Sequence, residues 1–437
     1  MSDTIFALSS GRPPAGIAVI RISGSKSFEI NGLFASDTSG VEPRHASLRT
    51  LKNPANNDIL DRAILLPFAG PNSVTGEDIV EWHCHGGQAV VRAVLDALEA
   101  LAEAEPELGL REAVAGEFTR RAFENGRIDL NEAEGLADLL SAETESQRRS
   151  ALMMAEGHFS RRLDAWREHL LQCAAQVESL LDFSDEDDVP DDGAESELRT
   201  RLTSLLEDMQ GQLAAPSAER LNEGIRVVLA GPRNAGKSTL LNALAGREAA
   251  IVSDIAGTTR DRIDVSASLG GVAFTLTDTA GLTEQSDDRI EMIGVDLARQ
   301  AIEQCDILLW LGDPAECPRA DGIKISAQKD RAGWRELTGV DLALSAVTGE
   351  HMRELVETLL ARAADMIPAE GSYALHKRQR DAVLHMTDNL QMALDEPDLL
   401  IVAEHLRGCL QEMDRLTGKA GVEDMLGALF GRFCIGK

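Results

Sequence analysis

Gly231-Pro-Arg-Asn-Ala-Gly236-Lys237-Ser238 follows the apolar run Ile225 to Ala230 and precedes Thr239 to Leu244, a helix-like segment. The spacing is that of a phosphate-binding loop lying between a strand and a helix. Its glycines let backbone N–H groups approach phosphates, Lys237 supplies charge to the β- and γ-phosphates, and the Ser238 hydroxyl is placed to ligate Mg²⁺. Apolar runs at Phe274 to Thr277, Asp306 to Leu311 and Ile323 to Ser326 then alternate with helical patterns. That alternation predicts a doubly wound parallel sheet.

Two further segments convert a phosphate loop into a GTP site: Asp254-Ile-Ala-Gly-Thr-Thr-Arg-Asp261 and Asp278-Thr-Ala-Gly281. Asp278 suits a carboxylate that holds Mg²⁺ through water, and Gly281 can turn its N–H to the γ-phosphate. Thr258 or Thr259 must supply the switch hydroxyl that closes on Mg²⁺. Leu282 stands where Ras-like enzymes carry the glutamine that orients water, and Glu291 is the nearest candidate carboxylate. Where GTPases carry Asn-Lys-x-Asp, this chain has Ala327-Gln-Lys-Asp330, which leaves Asp330 to pair with guanine and Ser345-Ala346-Val347 to meet the base through backbone N–H groups.

Working outward, the segment from Met1 to about Pro106 has short apolar runs, such as Gly16 to Ile22 and Ala63 to Pro67, broken by Gly, Pro and Asn. It reads as an α+β domain. A helical period then takes over: Phe159, Leu163, Trp166, Leu170, Ala174, Val177 and Leu181 form one stripe, and Val383, Met386, Leu390, Leu394, Leu406, Leu410, Met413 and Leu416 another. Two helical blocks flank one α/β domain, so the economical architecture is a helical domain carrying an insertion. The acidic run Asp182 to Asp188 reads as a solvated connection.

A chain of 437 residues needs several cores. Its formal charge of −30 disfavours long-range attraction of nucleic acid, so any RNA must meet a local basic patch or a partner protein. The six cysteines lack paired spacing, no basic-then-apolar leader opens the chain, and no apolar run approaches the ~20 residues of a membrane span. A cytoplasmic protein without membrane contact is expected. His83-Cys84-His85 alternates along a strand, so its side chains leave on opposite faces, which argues against a metal site.

Beyond the phosphate loop the sequence resembles the tRNA modification GTPases of the MnmE (TrmE) family over almost its whole length. The segments that carry the resemblance are Ile20-Arg21-Ile-Ser-Gly24, Asn72 to Asp78 with His83-Cys-His-Gly-Gly87, Gly116 to Phe123, Asn125 to Leu130 and Phe433-Cys-Ile-Gly-Lys437. It implies a multidomain α/β and α chain: an N-terminal α+β folate-binding and dimerisation domain (1–120), a discontinuous helical domain (121–220 and 369–437), and an inserted Ras-like P-loop GTPase domain (221–368). It implies a homodimer that, with an FAD-dependent partner in a heterotetramer, installs an aminomethyl or carboxymethylaminomethyl group at carbon 5 of the wobble uridine of certain tRNAs. The one-carbon unit is a tetrahydrofolate derivative (5-formyl or 5,10-methylene).

The same resemblance sets the folate site at Arg21, Glu81, Arg127 and Lys437, Arg127 standing where the family usually has lysine. It sets K⁺ ligands at Ser253, Ile255 and Thr258, beside a neutral phosphate-loop oxygen from Asn234. Mg²⁺ is expected at Ser238 and Thr259. The nucleotide-binding set is Asn234, Ala235, Gly236, Lys237, Ser238, Thr239, Ser253, Thr258, Thr259, Asp278, Gly281, Asp330, Ser345 and Ala346, with Lys237, Thr258 and Glu291 as catalytic groups. The alternative is a regulatory GTPase that acts as an RNA or ribosome-assembly switch; the absence of an evident basic RNA-binding module disfavours it.

Overall fold

The computed structural model describes residues 3–35, 42–182, 192–246, 264–279, 297–335, 337–369, 371–419, 423–431 and 433–436. These form two compact units, Met1–Ala137 with Asp414–Lys437, and Asp138–Met413.

In the first unit the chain runs through β1 (Thr4–Leu8), β2 (Ile17–Ser23), α1 (Ser27–Phe34), β3 (Ser47–Lys52), β4 (Ile59–Phe68), β5 (Ile79–His85), α2 (Gln88–Ala104), β6 (Leu110–Glu112), α3 (Glu117–Glu124) and α4 (Leu130–Ser141). The strands form one sheet in the order β3-β4-β5-β2-β1-β6, antiparallel except for the parallel pair β1 and β6. Alternation decides which face each side chain meets. Ile20, Ile22, Val80, Trp82 and Cys84 turn into a core covered by Val94, Leu98 and Leu101 of α2. Arg21 and Glu81, paired across β2 and β5, therefore share the opposite face.

The second unit starts with α5 (Glu145–Ala155), whose capping box joins Thr144 and Gln147, then α6 (His158–Asp182), α7 (Asp192–Leu213) and α8 (Ala218–Glu223). A second sheet follows: β7 (Ile225–Ala230), α9 (Lys237–Ala245), β8 (Asp264–Leu269), β9 (Val272–Asp278), β10 (Ile307–Trp310), β11 (Ile323–Ser326), β12 (Leu342–Ala343) and α10 (Met352–Ala363). Helices α11 (Lys377–Asp395) and α12 (Leu399–Thr417) follow, and α13 (Glu423–Phe430) belongs to the first unit. The strand order is β12-β11-β10-β7-β9-β8, with β8 antiparallel to β9 and the other neighbours parallel. Strand order reverses at β7, which puts the crevice beyond its carboxyl end at a topological switch point, the usual ligand position in such sheets.

Helices from before and after this sheet pack on one another. Arg199 of α7 donates to the Leu394 carbonyl (2.5 Å), the Ala374 N–H donates to Ser150 Oγ (3.0 Å), and Arg380 reaches the Ala215 and Leu213 carbonyls (2.7 and 2.8 Å). Ser217 and Leu375, on the segments entering and leaving the sheet region, form a parallel bridge. The helical stripes hold with corrections of one residue. Cys173, Ala393 and Cys409 are buried in place of Ala174, Leu394 and Leu410, because a 3.6-residue period drifts across a long helix and small side chains fit where helices approach. Most of the acidic run after Asp182 lies outside the described residues.

Candidate functional site

Five of the six residues of β7 are buried, as expected of a strand covered on both faces. It ends at a loop that only special backbone can make. Gly231 has φ 143°, and a Cβ there would come 2.9 Å from the Leu311 carbonyl carbon; Asn234 (φ 61°) and Gly236 (φ 95°) are both left-handed. Helix α9 begins at Lys237, so its first N–H groups open toward the loop, as in anion sites at helix N-termini. Lys237 is 5% exposed, and its Nζ donates to the Gly231 and Pro232 carbonyls at 2.9 and 2.8 Å. Burial pulls its pKa below the usual lysine value, and the Asp278 carboxylate opposes that shift.

Ser238 Oγ donates to Asp278 Oδ2 at 2.5 Å. A hydroxyl and a carboxylate, 40 positions apart in sequence, are thus joined at the loop's edge, which is the hard-oxygen donor chemistry Mg²⁺ takes. Thr279, next to Asp278, donates its hydroxyl to the Leu229 carbonyl at 3.0 Å and pins the end of β9 to β7.

The loops after β11 and β12 meet at the same end of the sheet. Ser345, fully buried, donates its hydroxyl to Asp330 Oδ1 at 2.5 Å and accepts from the Thr348 N–H at 3.1 Å. That hydroxyl, with Asp330's own backbone N–H, holds the exposed carboxylate below its ordinary pKa. Lys329 N–H donates to the Leu344 carbonyl (3.1 Å), and its Nζ meets Glu350 at 2.6 Å. The structure thus brings Lys237, Ser238 and Asp278 together at the end of β7 and β9, and joins Asp330 to Ser345, with Ala346 next in the chain packed on the sheet core. Ala235 and Thr239 lie in the loop and in the first turn of α9. Ser253, Ile255, Thr258, Thr259, Gly281 and Glu291 lie outside the described residues.

In the first unit, Arg21 donates to Glu81 at 2.9 Å and lies over the Phe118 ring, 5.5 Å from its centroid. Glu81 also meets His83 Nε2 at 3.2 Å, so a cation, a carboxylate and an imidazole share one face. Arg127 packs its stem beside Gly76, in the loop before β5. Lys437 lies outside the described residues, but its neighbour Gly436 (φ 95°) sits so close to β1 that a Cβ would come 2.2 Å from the Leu8 carbonyl oxygen. His85 turns to Asp61 (2.7 Å), and burial, with Asp61 adding, pushes the Cys84 thiol up to about 12, so this triplet is divided between both faces of the sheet.

Sequence reading did not single out the ion network beneath this face. Arg121 and Glu117, each 7% exposed, pair at 3.0 Å; Arg111 binds Glu117, and Glu77 binds both Arg121 and Ser23. The charged residues of α3, Glu117–Glu124, were the available signal, since four charges in eight residues of a short helix exceed what one solvated face accommodates.

A family model described as the GTP-binding protein TrmE N-terminus matches residues 4–127, and one described as the MnmE helical domain matches residues 130–434. The tRNA modification GTPase MnmE of Rhizorhabdus wittichii is 54% identical over 438 residues, covering 100% of this chain and 97% of the relative. The protein of that name from Zymomonas mobilis subsp. mobilis is 49% identical, over 99% of this chain and 100% of its own; that from Azorhizobium caulinodans is 45% identical, over 100% and 99%.

Proposed function

Because the chain belongs to the MnmE family of tRNA modification GTPases, we propose that it couples K⁺-stimulated GTP hydrolysis to modification of carbon 5 of the wobble uridine, using a tetrahydrofolate one-carbon unit and an FAD-dependent partner. That it hydrolyses GTP in tRNA modification follows from the family itself. The observation that carries the finer reading is the Ser238–Asp278 pair beside Lys237, at the same sheet end as the Asp330–Ser345 pair.

The phosphates of GTP lie along the N–H groups of residues 234–239, with Lys237 neutralising the β- and γ-oxygens. Ser238 and Thr259 would hold Mg²⁺, with Asp278 reaching it through water, and the bound ion would offset charge on the β- and γ-phosphates. Asn234, Ser253, Ile255 and Thr258 would hold K⁺, which when bound would supply the positive charge that an arginine finger supplies elsewhere. Thr258 closes on the site, and Glu291 orients the attacking water. Asp330 accepts two guanine N–H groups while Ser345 and Ala346 border the base. Adenine is rejected because it leaves that carboxylate unpaired.

Residues 1–120 form the folate-binding and dimerisation domain, with Arg21, Glu81, Arg127 and Lys437 as its ligand groups. The Arg21–Glu81 pair supports this, because an anionic folate tail and a polar pterin edge require a cation and a carboxylate together. So does the approach of Gly436 to Leu8, since Ala7, the next residue along β1, pairs with Arg21. Residues 221–368 are the GTPase domain, inserted between helical segments 121–220 and 369–437; the bridge of Ser217 to Leu375 supports the insertion. The working form is a cytoplasmic homodimer that joins the FAD-dependent partner as a heterotetramer. Among the described residues no helix is long and apolar enough to cross a membrane.

Mass spectrometry of tRNA from a strain lacking this protein tests the pathway. The expected result is loss of the carbon-5 group from wobble uridine. Unchanged modification overturns the proposal.

A further inference from the structure

Helices α11 and α12 pack as an antiparallel hairpin. Asn389 Oδ1 meets His405 Nδ1 at 3.3 Å, a Cβ on Gly408 would stand 3.2 Å from that same oxygen, and Cys409 Sγ donates to the Met386 carbonyl at 3.5 Å. Carried on to the tip, this pairing sets Met392 beside the first turn of α12. There the inside-out pattern of the helices breaks. Met392 is 55% exposed, Leu400 66% and Ile401 44%, three large apolar side chains within ten residues of sequence. A single exposed apolar side chain is ordinary, but a group of them rimmed by polar residues marks an interaction surface.

The tip is also held in shape. Arg199 of α7 donates to the Leu394 and Glu396 carbonyls (2.5 and 3.3 Å), the Asp398 N–H donates to Glu396 Oε1 (3.0 Å), and the Leu400 N–H donates to Asp398 Oδ1 (2.9 Å). A surface ordered beforehand loses less freedom on binding. Its rim has one sign of charge. Between Arg380 and Arg407 the chain carries six acidic residues and no lysine or arginine. Asp395 takes the Gln391 amide (3.1 Å), while Glu396 and Asp398 take backbone N–H groups, so among the described residues no cation offsets these three carboxylates.

From this arrangement we infer that the α11–α12 tip is a docking surface for a basic partner protein, whose apolar pocket is rimmed by lysine and arginine, and that the FAD-dependent partner is its occupant. The acidic rim repels RNA phosphates and anionic lipid headgroups. A second copy of this chain, placed across a two-fold axis, would set the carboxylates of one tip against those of the other. A basic protein meets the rim with complementary charge and the apolar centre with a pocket. The FAD-dependent partner fits that description, because a chain of net charge −30 leaves the tRNA backbone to the partner, which must then carry clustered cations. The inference rests on the heterotetramer proposed above.

The test follows association of the full chain with the purified FAD-dependent partner by surface plasmon resonance. Met392→Gln combined with Leu400→Gln keeps helix-forming side chains and adds no charge. Affinity is expected to fall at least about tenfold, mainly through faster dissociation, as when an interface loses its apolar anchors. Asp395→Lys should slow association about threefold at low salt and leave it unchanged at high salt, since a rim charge acts by steering. Both variants should melt within ~2 °C of the parent and hydrolyse GTP at the parental rate without the partner, because the altered side chains are exposed. Partner affinity unchanged in the double-glutamine chain overturns the inference, and association unaffected by Asp395→Lys overturns the choice of a basic occupant. A double-glutamine chain that, without the partner, loses self-association or tRNA affinity assigns the tip to a second copy or to RNA and overturns it too. A parent chain that fails to bind the partner at all overturns the proposed heterotetramer as well.

Discussion

Replacing Glu117 by glutamine removes one negative charge from the interior of the first unit while keeping the shape of the side chain. Glu117 accepts from Arg111 (2.9 and 2.5 Å), from Arg121 (3.0 Å) and from the Val114 N–H (2.9 Å). An amide retains one acceptor oxygen and turns an NH₂ toward guanidinium donors. Breaking a buried ion pair from one side costs ~3–5 kcal/mol. Glu77 still faces Arg121 at 3.1 Å and Asp3 still faces Arg111 at 2.5 Å, so the lower end, ~3 kcal/mol, is the expected value. For a unit of this size that lowers the melting transition by roughly 6–12 °C. Hydrogen exchange of the amides in β1 and α3 during the melt assigns the transition to this unit.

The pH dependence gives a second signature. Burial raises the Glu117 pKa, but Arg111, the Val114 N–H and Arg121 outweigh it and leave the folded-state value below 4.5. A depressed carboxyl contributes stability that is fully present above its unfolded pKa and is lost as pH falls through the folded value. The gap between parent and Glu117→Gln should therefore be widest near neutral pH and close on acidification below about 4.5. A shift smaller than ~2 °C at neutral pH, or a gap that stays constant to pH 3, refutes the reasoning.

Asp330→Asn should weaken GTP and admit xanthosine nucleotides, measured by competition for the bound guanine nucleotide; retained GTP preference would mean that another group reads the base. Ser238→Ala removes the hydroxyl that meets Asp278, so Mg²⁺-dependent hydrolysis should fall by at least ~10-fold, while GDP binding without Mg²⁺ changes little. Hydrolysis by the parent should be much faster in K⁺ than in Na⁺ at equal ionic strength, and Asn234→Ala should abolish that difference; equal parental rates in the two salts rule out the K⁺ mechanism. Gly436→Ala puts a methyl group against the Leu8 carbonyl, and calorimetry with 5-formyltetrahydrofolate should show weakened binding at unchanged GTP affinity. Unaltered folate binding there would separate the C-terminal tail from that site.

Much of this protein is legible in local sequence because the physics that forms it is local. The β7 limits, the glycine-dependent turn and the start of α9 each depend on a few consecutive residues, and β11 is recovered at Ile323–Ser326 for the same reason. Asp278 was recognisable because it ends an apolar strand. Helix periodicity identified the buried faces but passed over Cys173 and Cys409, since a pattern of large apolar residues does not score a small thiol packed between helices. Tertiary structure alone decided the rest. The reach of Gln328 to the Asn234 carbonyl and the assembly of Asp3, Glu77, Arg111, Glu117 and Arg121 each link residues tens of positions apart. A charge written in sequence carries no record of its counter-charge. The partner is set by strand order and register, and burial then makes the choice of partner energetically decisive.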